Sequence, residues 1–498
     1  MKSVIGLDIG TTGVKCAVID ESGNILYEGI RTHNAINTFP GFAEGDPDIW
    51  WRESIELLRE VVSTLGKEDI SGIGVSGMVP TLILVDSSGD AIRPSIQMND
   101  CRAVREIEEL KDLIDEDKYF QQSGNMINQQ VIFPKYLWLQ RNEPEHLSRS
   151  KLIMGSYNYI TYKITGVATL ELNWALESGM WSLEDKCWIP EICDSVGLTI
   201  ELLPPVYFPT DIVGNVTKEI AELTGLKEGT PVIAGSADHI ASALAAGMNK
   251  AGDLLLKFGG GADILVVSEK LVTDKRLFID YHDIPNMYIL NGCMASSGSV
   301  VKWFSEDISG TDYSELTLMA KQSPPGCNGL ITLPYFLGEK TPIFDVKARG
   351  TIFGLSLSHN KGDIFRSLLE SVAFGFRHHL EVIEEMGINP GRVFMTNGGS
   401  RNELWRSITA DVVGHDAVYL EKHTGSSLGA AFLSGIATGL YSSWDQIGSF
   451  MQDKVVVKSN PLNHGLYSKY FQIYKNLYDN NSNLFSELFD LQNSNYQI

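Results

Sequence analysis

The sequence predicts two related α/β domains that face each other across a central cleft. A glycine turn joins two strand-like apolar runs at residues 4–20, and the same pattern returns at residues 253–268. A second unit, in which a small-residue loop joins a strand to a helix, occurs at residues 231–247 and again at 392–408. Because both halves contain the hairpin and the strand–loop–helix unit, we interpret the chain as a duplicated α/β architecture.

The length and composition agree with this interpretation. A chain of 498 residues with 43% apolar residues can form two cores, which we predict at residues 1–247 and 248–498. It has no long uncharged apolar run and no signal-peptide pattern, so we expect a cytoplasmic protein without a membrane partner. The six scattered cysteines lack metal-type spacing and are typical of reduced thiols. The net charge of −22 argues against nucleic acid as a partner.

The first hairpin has the features of an anion site. Its turn, Gly10–Gly13, lets backbone N–H groups approach a ligand and adds two threonine hydroxyls as donors. Asp8 precedes the turn at a strand end, where a carboxylate could hold hydrated Mg²⁺, and Lys15 follows it. Together these residues suit the triphosphate of a nucleotide. The alternative is an ordinary β-hairpin, whose tight turn needs glycine for the same backbone reason.

Two further glycine segments lie in the second half of the chain. Gly259–Gly261 separates two apolar strands, and three consecutive glycines exceed what a hairpin turn needs, which favours close approach of a ligand. Gly398–Ser400 joins a strand to a helix, where glycines would let a flat ring or a phosphate lie against the backbone. A short loop that needs a tight turn explains this second segment equally well.

Asp238 is the first candidate for a catalytic residue. It follows an apolar strand and a Gly-Ser-Ala turn at the start of an alanine-rich helix. A helix N-terminus favours negative charge, so a carboxylate there can stay ionised and accept a proton from a substrate hydroxyl. The alternative is a helix N-cap, and the two roles do not exclude each other. Gly77–Met78 and Met98–Asp100 follow extended runs and could present polar groups to a small ligand, although ordinary loops explain them as well.

Two helices are readable from their patterns. Asp46-Pro47 indicates an N-cap followed by a first-turn proline, before apolar residues at helical spacing. A second helix is predicted from Asp363, with apolar residues along one face, to an end near Gly387. We expect its neighbouring residues His378 and His379 on the exposed side of that helix.

In their order along the chain, these segments resemble the FGGY carbohydrate kinases, which belong to the actin and hexokinase-like ATPases with ribonuclease H-like domains. Gly6–Gly13 is similar to the family's first phosphate motif, and Lys135–Asn142 matches the core of its first signature, although the residues just upstream depart from it. Further similar segments are Asp46–Trp51, Leu333–Pro342, Gly350–Leu355 and Asp363–Glu370. Each motif alone is weak, but the ordered set is highly specific.

The resemblance implies ATP and Mg²⁺ as cofactors and transfer of the γ-phosphate to a hydroxyl of a small sugar or polyol. It implies that Asp238 is the catalytic base and that Asp8 serves the metal and the phosphates. The other implied ATP-binding positions are Thr11, Thr12 and Lys15 beside the phosphates, Gly259 and Gly260 at the phosphates from the second domain, and Gly399 and Ser400 at the adenosine. The implied sugar-binding positions are Gly77, Met78, Asn99, Asp100, Asp238 and His239. Members of the family are often homodimers.

The layout is most similar to the xylulokinase branch, so the expected substrate is D-xylulose or a related pentulose. The substrate loops depart from that branch, since Val79 replaces a histidine and Met98 replaces a tryptophan. His239 stands where relatives have Asn or Gln, and Asp263 where they often have Ser, Gly or Phe. The alternatives are a kinase for another sugar, such as ribulose, gluconate or an erythritol-type polyol, and a non-catalytic regulatory member of the same fold.

Overall fold

The computed structural model describes residues 2–36, 38–67, 69–421, 425–450 and 454–494. The chain divides into two compact units, each of which contains strands and helices, so the predicted two-domain α/β fold is confirmed. The first unit comprises Met1–Asn249, Ile279–Ile289 and Thr424–Met451, and the second comprises Lys250–Phe278, Leu290–His423 and Gln452–Ile498. The predicted division after residue 247 stays a prediction, and the units depart from it because two later segments group with the first unit.

The strands are short except in the two main sheets. Their bounds are β1 Ser3–Gly10, β2 Gly13–Asp20, β3 Ile25–Thr32, β4 Glu44–Gly45, β5 Ile70–Gly77, β6 Ile83–Val85, β7 Ser95–Ile96, β8 Leu152–Met154, β9 Leu170–Glu171, β10 Val206–Tyr207, β11 Ile212–Asn215, β12 Pro231–Ile233, β13 Ser236–Ala237, β14 Leu254–Phe258, β15 Ala262–Ser268, β16 Phe278–Tyr281, β17 Tyr288–Met294, β18 Ile331–Leu333, β19 Thr351–Phe353, β20 Val393–Thr396, β21 Ala417–Leu420 and β22 Lys454–Val457.

The helices vary from one turn to nine turns in length. Their bounds are α1 Pro47–Leu65, α2 Val104–Leu113, α3 Glu116–Ser123, α4 Ile132–Asn142, α5 Pro144–Arg149, α6 Ser156–Thr165, α7 Leu172–Glu177, α8 Pro190–Ser195, α9 Lys218–Thr224, α10 Asp238–Ala245, α11 Gly298–Trp303, α12 Tyr313–Gln322, α13 Lys361–Glu385, α14 Glu403–Val413, α15 Ser426–Ala437, α16 Ile447–Phe450 and α17 Pro461–Ser494. Within the described residues, no helix combines the length and the apolar character needed to cross a membrane.

The core of the first unit is a mixed sheet with the strand order β11-β12-β5-β1-β2-β3, and β13 also pairs with β5. Strand β1 runs antiparallel to β2 and parallel to β5. It is buried along nearly its whole length, which agrees with its almost continuous apolar sequence. The hairpin predicted at residues 4–20 is therefore confirmed and lies at the centre of this sheet.

Helix α15 belongs to the first unit because small residues bring it close to the sheet. A Cβ atom on Gly6 of β1 would lie 1.9 Å from a backbone oxygen of α15, and one on Gly74 of β5 would lie 2.2 Å from another. Gly429 lets α15 approach α10 equally closely, since its Cβ would lie 2.1 Å from the carbonyl oxygen of Ala241. This packing explains why residues far along the chain group with the first unit.

The second unit repeats the central pattern of the first. Its main sheet contains β17, β15, β14, β20, β21 and β22 in that order. Strand β14 runs antiparallel to β15 and parallel to β20, as β1 does to β2 and β5. The hairpin predicted at residues 253–268 and the strand–loop–helix unit predicted at 392–408 are both present. The duplication inferred from the sequence is therefore visible in the strand order.

The two predicted helices are confirmed with small changes. Asp46 caps α1 by accepting a hydrogen bond from the Asp48 N–H, and Pro47 is the first helical residue. Helix α13 begins two residues before Asp363, which instead completes a capping box with Asn360. The expectation for His379 is wrong, because its ring is fully buried, hydrogen-bonds to Thr341 and Gly375, and has a pKa that burial lowers to about 4.

Candidate active site

One row of paired residues crosses the sheet of the first unit. Asp8 of β1 pairs with Lys15 of β2 on one side and with Ser76 of β5 on the other, and Ser76 pairs with Ser236 of β13. Directly paired residues point to the same face of a sheet, so side chains from four strands meet here. Asp238 follows Ser236 by two residues, so the predicted base begins its helix at the end of this row.

The Asp8 carboxylate is buried with little compensating charge. Ser76 Oγ donates a hydrogen bond to Asp8 Oδ1 at 3.4 Å, and Lys15 Nζ lies 3.9 Å from Oδ2. Burial, reinforced by the negative charge of Asp238, raises the pKa of Asp8 to about 6, although Lys15 opposes the shift. A divalent cation at this carboxylate would offset the cost of burial, so Asp8 fits the predicted role in holding Mg²⁺.

Asp238 is the first residue of α10. Ala237 occupies the N-cap position and has no capping side chain, so the alternative in which Asp238 is the N-cap is wrong. The Asp238 side chain retains 39% of its surface, which leaves the carboxylate accessible to a substrate hydroxyl. Its position in the first turn of the helix favours the ionised form. The geometry is therefore suited to a general base.

His239 lies between acidic side chains of the first unit. Its Nδ1 is 3.6 Å from Asp238 Oδ1, whereas its Nε2 is 3.2 Å from Asp280 Oδ2 and 3.9 Å from Glu177 Oε1. Burial disfavours protonation of the ring, but the interactions with Asp238 and Asp280 outweigh it and hold the pKa of His239 well above its usual value. The sequence offered no motif for Glu177 or Asp280, which lie in α7 and β16.

The first predicted substrate loop is explained in part by packing. A Cβ atom on Gly77 would lie 2.7 Å from Ser156 Oγ, and that same hydroxyl donates to the carbonyl oxygen of Met78 at 2.8 Å. The Met78 side chain is buried, and its Sδ lies 3.8 Å from Thr11 Oγ1. Met78 N–H also donates to the Ile9 carbonyl oxygen at 3.1 Å. These contacts attach the loop firmly to the first hairpin.

The second predicted substrate loop contains one exposed and one buried polar residue. Asn99 is exposed and can meet a ligand. Asp100 is 1% exposed, accepts a hydrogen bond from the Ala43 N–H at 2.6 Å, and pairs with Arg102 Nε at 2.8 Å. Because these bonds occupy both carboxylate oxygens, the contacts give Asp100 a supporting role in the loop. The predicted direct sugar contact therefore fits Asn99 better than Asp100.

Lys135 supports the same loop, although the sequence gave it no role beyond its place in a signature. Its Nζ donates to the carbonyl oxygens of Gln97, Met98 and Gln130 at 2.8, 3.3 and 3.1 Å. Burial lowers the pKa of Lys135 to about 7, while the charge of Asp100 opposes that shift. Three acceptors match the three donors of an ammonium group, so this side chain fixes the backbone of the loop.

The turn of the first hairpin leaves its predicted phosphate ligands accessible. Thr12 is exposed, and the Lys15 side chain retains 54% of its surface. Gly13 has a packing explanation, since a Cβ atom there would lie 2.3 Å from the Arg31 carbonyl oxygen in β3. Phosphate binding by Thr11, Thr12 and Lys15 stays a prediction.

The turn of the second hairpin lies against the start of α11. The Gly259 carbonyl oxygen accepts from Gly298 N–H at 2.9 Å, and that of Gly260 accepts from Ser297 and Ser299 N–H at 2.8 and 3.0 Å. A Cβ atom on Gly260 would have no neighbour within 4 Å. Packing among the described residues of the second unit therefore gives no reason for glycine at this position, which is consistent with the predicted approach of a ligand.

A cavity of about 710 Å³ lies in the second unit and is large enough for a nucleoside. Its walls include Gly298 of α11 and the Gly398–Gly399 backbone. The other lining residues are Val301, Lys302, Ser305, Glu306, Tyr313, Ser314, Thr317, Leu318, Lys321, Arg401, Asn402, Glu403, Leu404 and Trp405. The lining combines apolar and aromatic surface with hydrogen-bonding groups, as a site for a flat heterocycle and its ribose would require.

The two residues predicted at the adenosine differ in position. Gly399 lines this cavity, and a Cβ atom there would lie 2.8 Å from the Trp405 ring and 2.9 Å from Phe258 Cβ. Ser400 is fully buried, and its Oγ donates to the Asn397 carbonyl oxygen at 2.6 Å. The geometry is consistent with the prediction for Gly399, whereas the Ser400 side chain stabilises the loop and does not line the cavity.

Two models of one family cover most of the chain. The N-terminal domain of the FGGY family of carbohydrate kinases matches residues 3–245, and the C-terminal domain of that family matches residues 258–438. The chain therefore belongs to the FGGY family of carbohydrate kinases. The predicted family and enzyme class, a phosphotransferase that acts on a sugar, are confirmed.

Named relatives agree with this assignment over nearly their whole length. The chain is 29% identical over 495 residues to a xylulose kinase of Bacillus subtilis (strain 168), covering 97% of this chain and 98% of the relative. It is 25% identical over 462 residues to a gluconokinase of the same strain, covering 90% of each. The crystal structure of a xylulose kinase from Rhodospirillum rubrum is similar, with a TM-score of 0.92 and 37% identity over 97% of this chain and 100% of that one.

Proposed function

We propose that this kinase transfers the γ-phosphate of MgATP to a hydroxyl group of D-xylulose or a closely related pentulose. The observation that carries the proposal is the pair of carboxylates in the first unit, with Asp8 buried next to Lys15 and Asp238 accessible at the start of α10. A phosphoryl transfer to a hydroxyl needs a base for the proton and a cation site for the phosphates. The similarity to xylulose kinases supports a pentulose as the acceptor.

In this proposal each residue has a defined task. The substrate hydroxyl donates a hydrogen bond to Asp238, which takes the proton as the oxygen attacks the γ-phosphorus in line. Lys15 and the amides of the glycine turns compensate the charge on the transferring group. Asp8 would hold Mg²⁺, which supplies positive charge that offsets the phosphate oxygens. The cavity of the second unit, with Gly399 in its wall, binds the adenosine.

The charge around Asp238 supports a neutral acceptor over a sugar acid. Asp280 and Glu177 lie on the other side of His239 from Asp238, and the charge of Asp238 also acts on Asp8. Burial and the charge of Asp280 raise the pKa of Glu177 well above its usual value and favour its neutral form. Asp238 and Asp280 still outnumber the one imidazolium, so a gluconate carboxylate placed here would be repelled. This argument favours a neutral sugar such as D-xylulose over gluconate as the substrate.

The substrate can be tested by measuring ADP release with a panel of D-xylulose, ribulose, xylitol, erythritol, glycerol and D-gluconate. We expect the highest kcat/KM with D-xylulose. Asp238→Asn should lower kcat by about 10³-fold while it leaves ATP binding unchanged, because only the proton acceptor is lost. Asp117→Asn, an exposed acid in the first turn of α3, is the matched control and should keep full activity.

Other outcomes select the alternatives. A preference for D-gluconate would contradict the charge argument and assign a sugar acid as the acceptor. ATP binding without turnover of any acceptor would favour a non-catalytic member of the fold. Substantial turnover by Asp238→Asn would exclude Asp238 as the base.

A further inference from the structure

The residue after Asp238 is His239, and two further acidic side chains lie on the opposite side of its ring. His239 faces Asp238 through Nδ1, and it faces Asp280 and Glu177 through Nε2. We propose that Asp280 and Glu177 are positioning residues that keep His239 in its imidazolium form, and that this cation orients the Asp238 carboxylate and keeps it ionised. The inference rests on the proposed role of Asp238 as the base.

The geometry of the ring nitrogens supports the cationic form. A neutral imidazole has one N–H donor and one nitrogen lone pair. Here both nitrogens face carboxylate oxygens, at 3.6 Å for Nδ1 and at 3.2 Å for Nε2. Either neutral tautomer would therefore direct a lone pair at a negative charge, whereas the imidazolium donates on both sides. The contact with Asp280 is a hydrogen bond, and the contact with Asp238 at 3.6 Å is an ion pair.

The surroundings of the ring are acidic on every side for which charged neighbours are described. Asp238 lies in α10, Asp280 in β16 and Glu177 at the end of α7. Glu171, which caps α7, and Asp283 also interact electrostatically with His239. The Tyr157 hydroxyl lies within the electrostatic reach of Asp238 and hydrogen-bonds to Glu171. Among these groups the His239 ring is the cation, which makes its charge state decisive for Asp238.

Burial strengthens the electrostatic interaction between His239 and the neighbouring acids. The Asp280 side chain is 2% exposed and the His239 side chain 19% exposed, so water screens their interaction only weakly. A positive charge next to Asp238 stabilises its ionised form, and loss of that charge would disfavour it. The consequence for catalysis is a shift in the acidic limb of the pH–rate profile, because Asp238 must be ionised to accept a proton.

The kinetic test compares kcat/KM for the sugar between pH 5.5 and 9 in three variants. His239→Gln and Asp280→Asn should lose about tenfold or more at pH 6 and return to within about threefold of the wild-type value at pH 8.5. Glu177→Gln should shift the limb in the same direction by less, because its oxygen is 3.9 Å from Nε2 and because burial raises the pKa of Glu177 well above its usual value, which favours its neutral form. KM for MgATP should not change in any of them.

The matched control is His146→Gln. His146 Nδ1 also pairs with a carboxylate, that of Glu143 at 2.7 Å, but it lies in the partly exposed helix α5. Its pH profile should superimpose on that of the wild type. A merely structural role for His239 and Asp280 would lower the rate equally at every pH, and that result, or an unshifted acidic limb, would overturn the proposal.

A second readout does not depend on activity. In protein labelled with ¹⁵N-histidine, NMR should show His239 doubly protonated at pH 7.5 in the wild type and neutral in Asp280→Asn, with the signal assigned by its loss in His239→Gln. A neutral wild-type ring would overturn the inference even in an active kinase. A protonated ring in a protein that phosphorylates no sugar would support the imidazolium form of His239, while the proposed function, and with it the orientation of a catalytic base, fails.

The same three side chains could instead hold a metal ion, because their ligand atoms lie within 4.8 Å of one another. Metal analysis of the purified holoprotein distinguishes the two arrangements. We expect no tightly held metal after dialysis against buffer with millimolar Mg²⁺. One equivalent of zinc or manganese in the wild type that is absent from Asp280→Asn would overturn the proposal, since a metal and an imidazolium proton exclude each other at Nε2.

Discussion

The two glycine-turned hairpins have the same topology but opposite buried charges. In the first, Asp8 and Lys15 pair across β1 and β2, and the acid is the buried member, with 7% of its side chain exposed against 54% for the lysine. In the second, Lys257 and Asp263 pair across β14 and β15 with 3.4 Å between their charged atoms. There the lysine is the buried member, with 14% of its side chain exposed against 43% for the acid.

The turns of the two hairpins also differ in their residues. The first has two threonine side chains, and its Gly13 is required by the close approach of β3. The second consists of glycines, of which Gly260 meets no neighbour. A buried carboxylate suits a cation, whereas a half-buried ammonium group and bare backbone amides suit phosphate. We therefore expect the first hairpin to bind the cation and the second to bind phosphate.

The largest expected effect concerns Asp8. Asp8→Asn should lower kcat/KM by about 10³-fold, because the Mg²⁺ that offsets the charge of the phosphates would lose its carboxylate ligand. It should also stabilise the fold at pH 7.5. The pKa of Asp8 in the folded protein is about 6, above its unfolded value near 3.8, so the folded state disfavours the ionised form and stability falls as the pH rises through this window. The gain from asparagine is about 3 kcal/mol at most.

Thermal unfolding of the wild type and Asp8→Asn at pH 4 and pH 7.5 measures this gain. The difference in Tm should be large at pH 7.5 and small at pH 4, where the carboxyl is almost fully protonated in the folded form and close to half protonated in the unfolded form. Lys15→Met is the matched control, since it removes the other member of the pair without relieving the buried carboxylate. An Asp8→Asn variant that is less stable at pH 7.5 would contradict the conclusion that the buried, ionised Asp8 carboxylate destabilises the fold.

The next largest expected effect is a loss of stability in Gly13→Ala. The added methyl group would lie 2.3 Å from the Arg31 carbonyl oxygen, so β2 and β3 must separate, at a cost of about 2–3 kcal/mol. Urea unfolding should show a lower midpoint. An unchanged midpoint would mean that the glycine is kept for ligand binding in the first hairpin as well, which would remove one difference between the two turns.

Gly260→Ala should leave stability unchanged and weaken ATP binding. Its methyl group would enter open space, so the free energy of unfolding should stay within about 0.5 kcal/mol of the wild type. The Kd of ATP, measured by calorimetry, should rise about tenfold because the methyl group occupies space next to the turn amides. Unchanged ATP affinity would show that this turn does not approach the nucleotide.

Local patterns were sufficient to predict several elements. The hairpins, the Asp46-Pro47 start of α1 and the loop before α14 were read correctly, because turn glycines, caps and periodic apolar residues act over a few neighbouring positions. His379 was misplaced because one apolar stripe does not show how much of a 25-residue helix other elements cover.

Contacts between distant segments could not be predicted in the same way. Asp280 reaches His239 across 41 positions, and neither it nor Glu177 lies in a recognisable motif. The grouping of α15 with the first sheet depends on glycines at Gly6, Gly74 and Gly429, whose small size is visible in the sequence but whose neighbours are not. Asp100 illustrates the same limit, since its partners Ala43 and Arg102 decide that it supports the loop.

The smallest expected effects concern the pair in the second hairpin. Lys257→Met should weaken ATP binding about threefold, because a half-buried ammonium group close to the turn contributes attraction for phosphate that the glycine amides only partly replace. Asp263→Asn should leave the affinity unchanged or improve it slightly, since it frees Lys257 from its partner at 3.4 Å. If both substitutions weaken binding equally, the pair acts as a unit that holds the turn in place, and the second hairpin resembles the first more than its buried charge indicates.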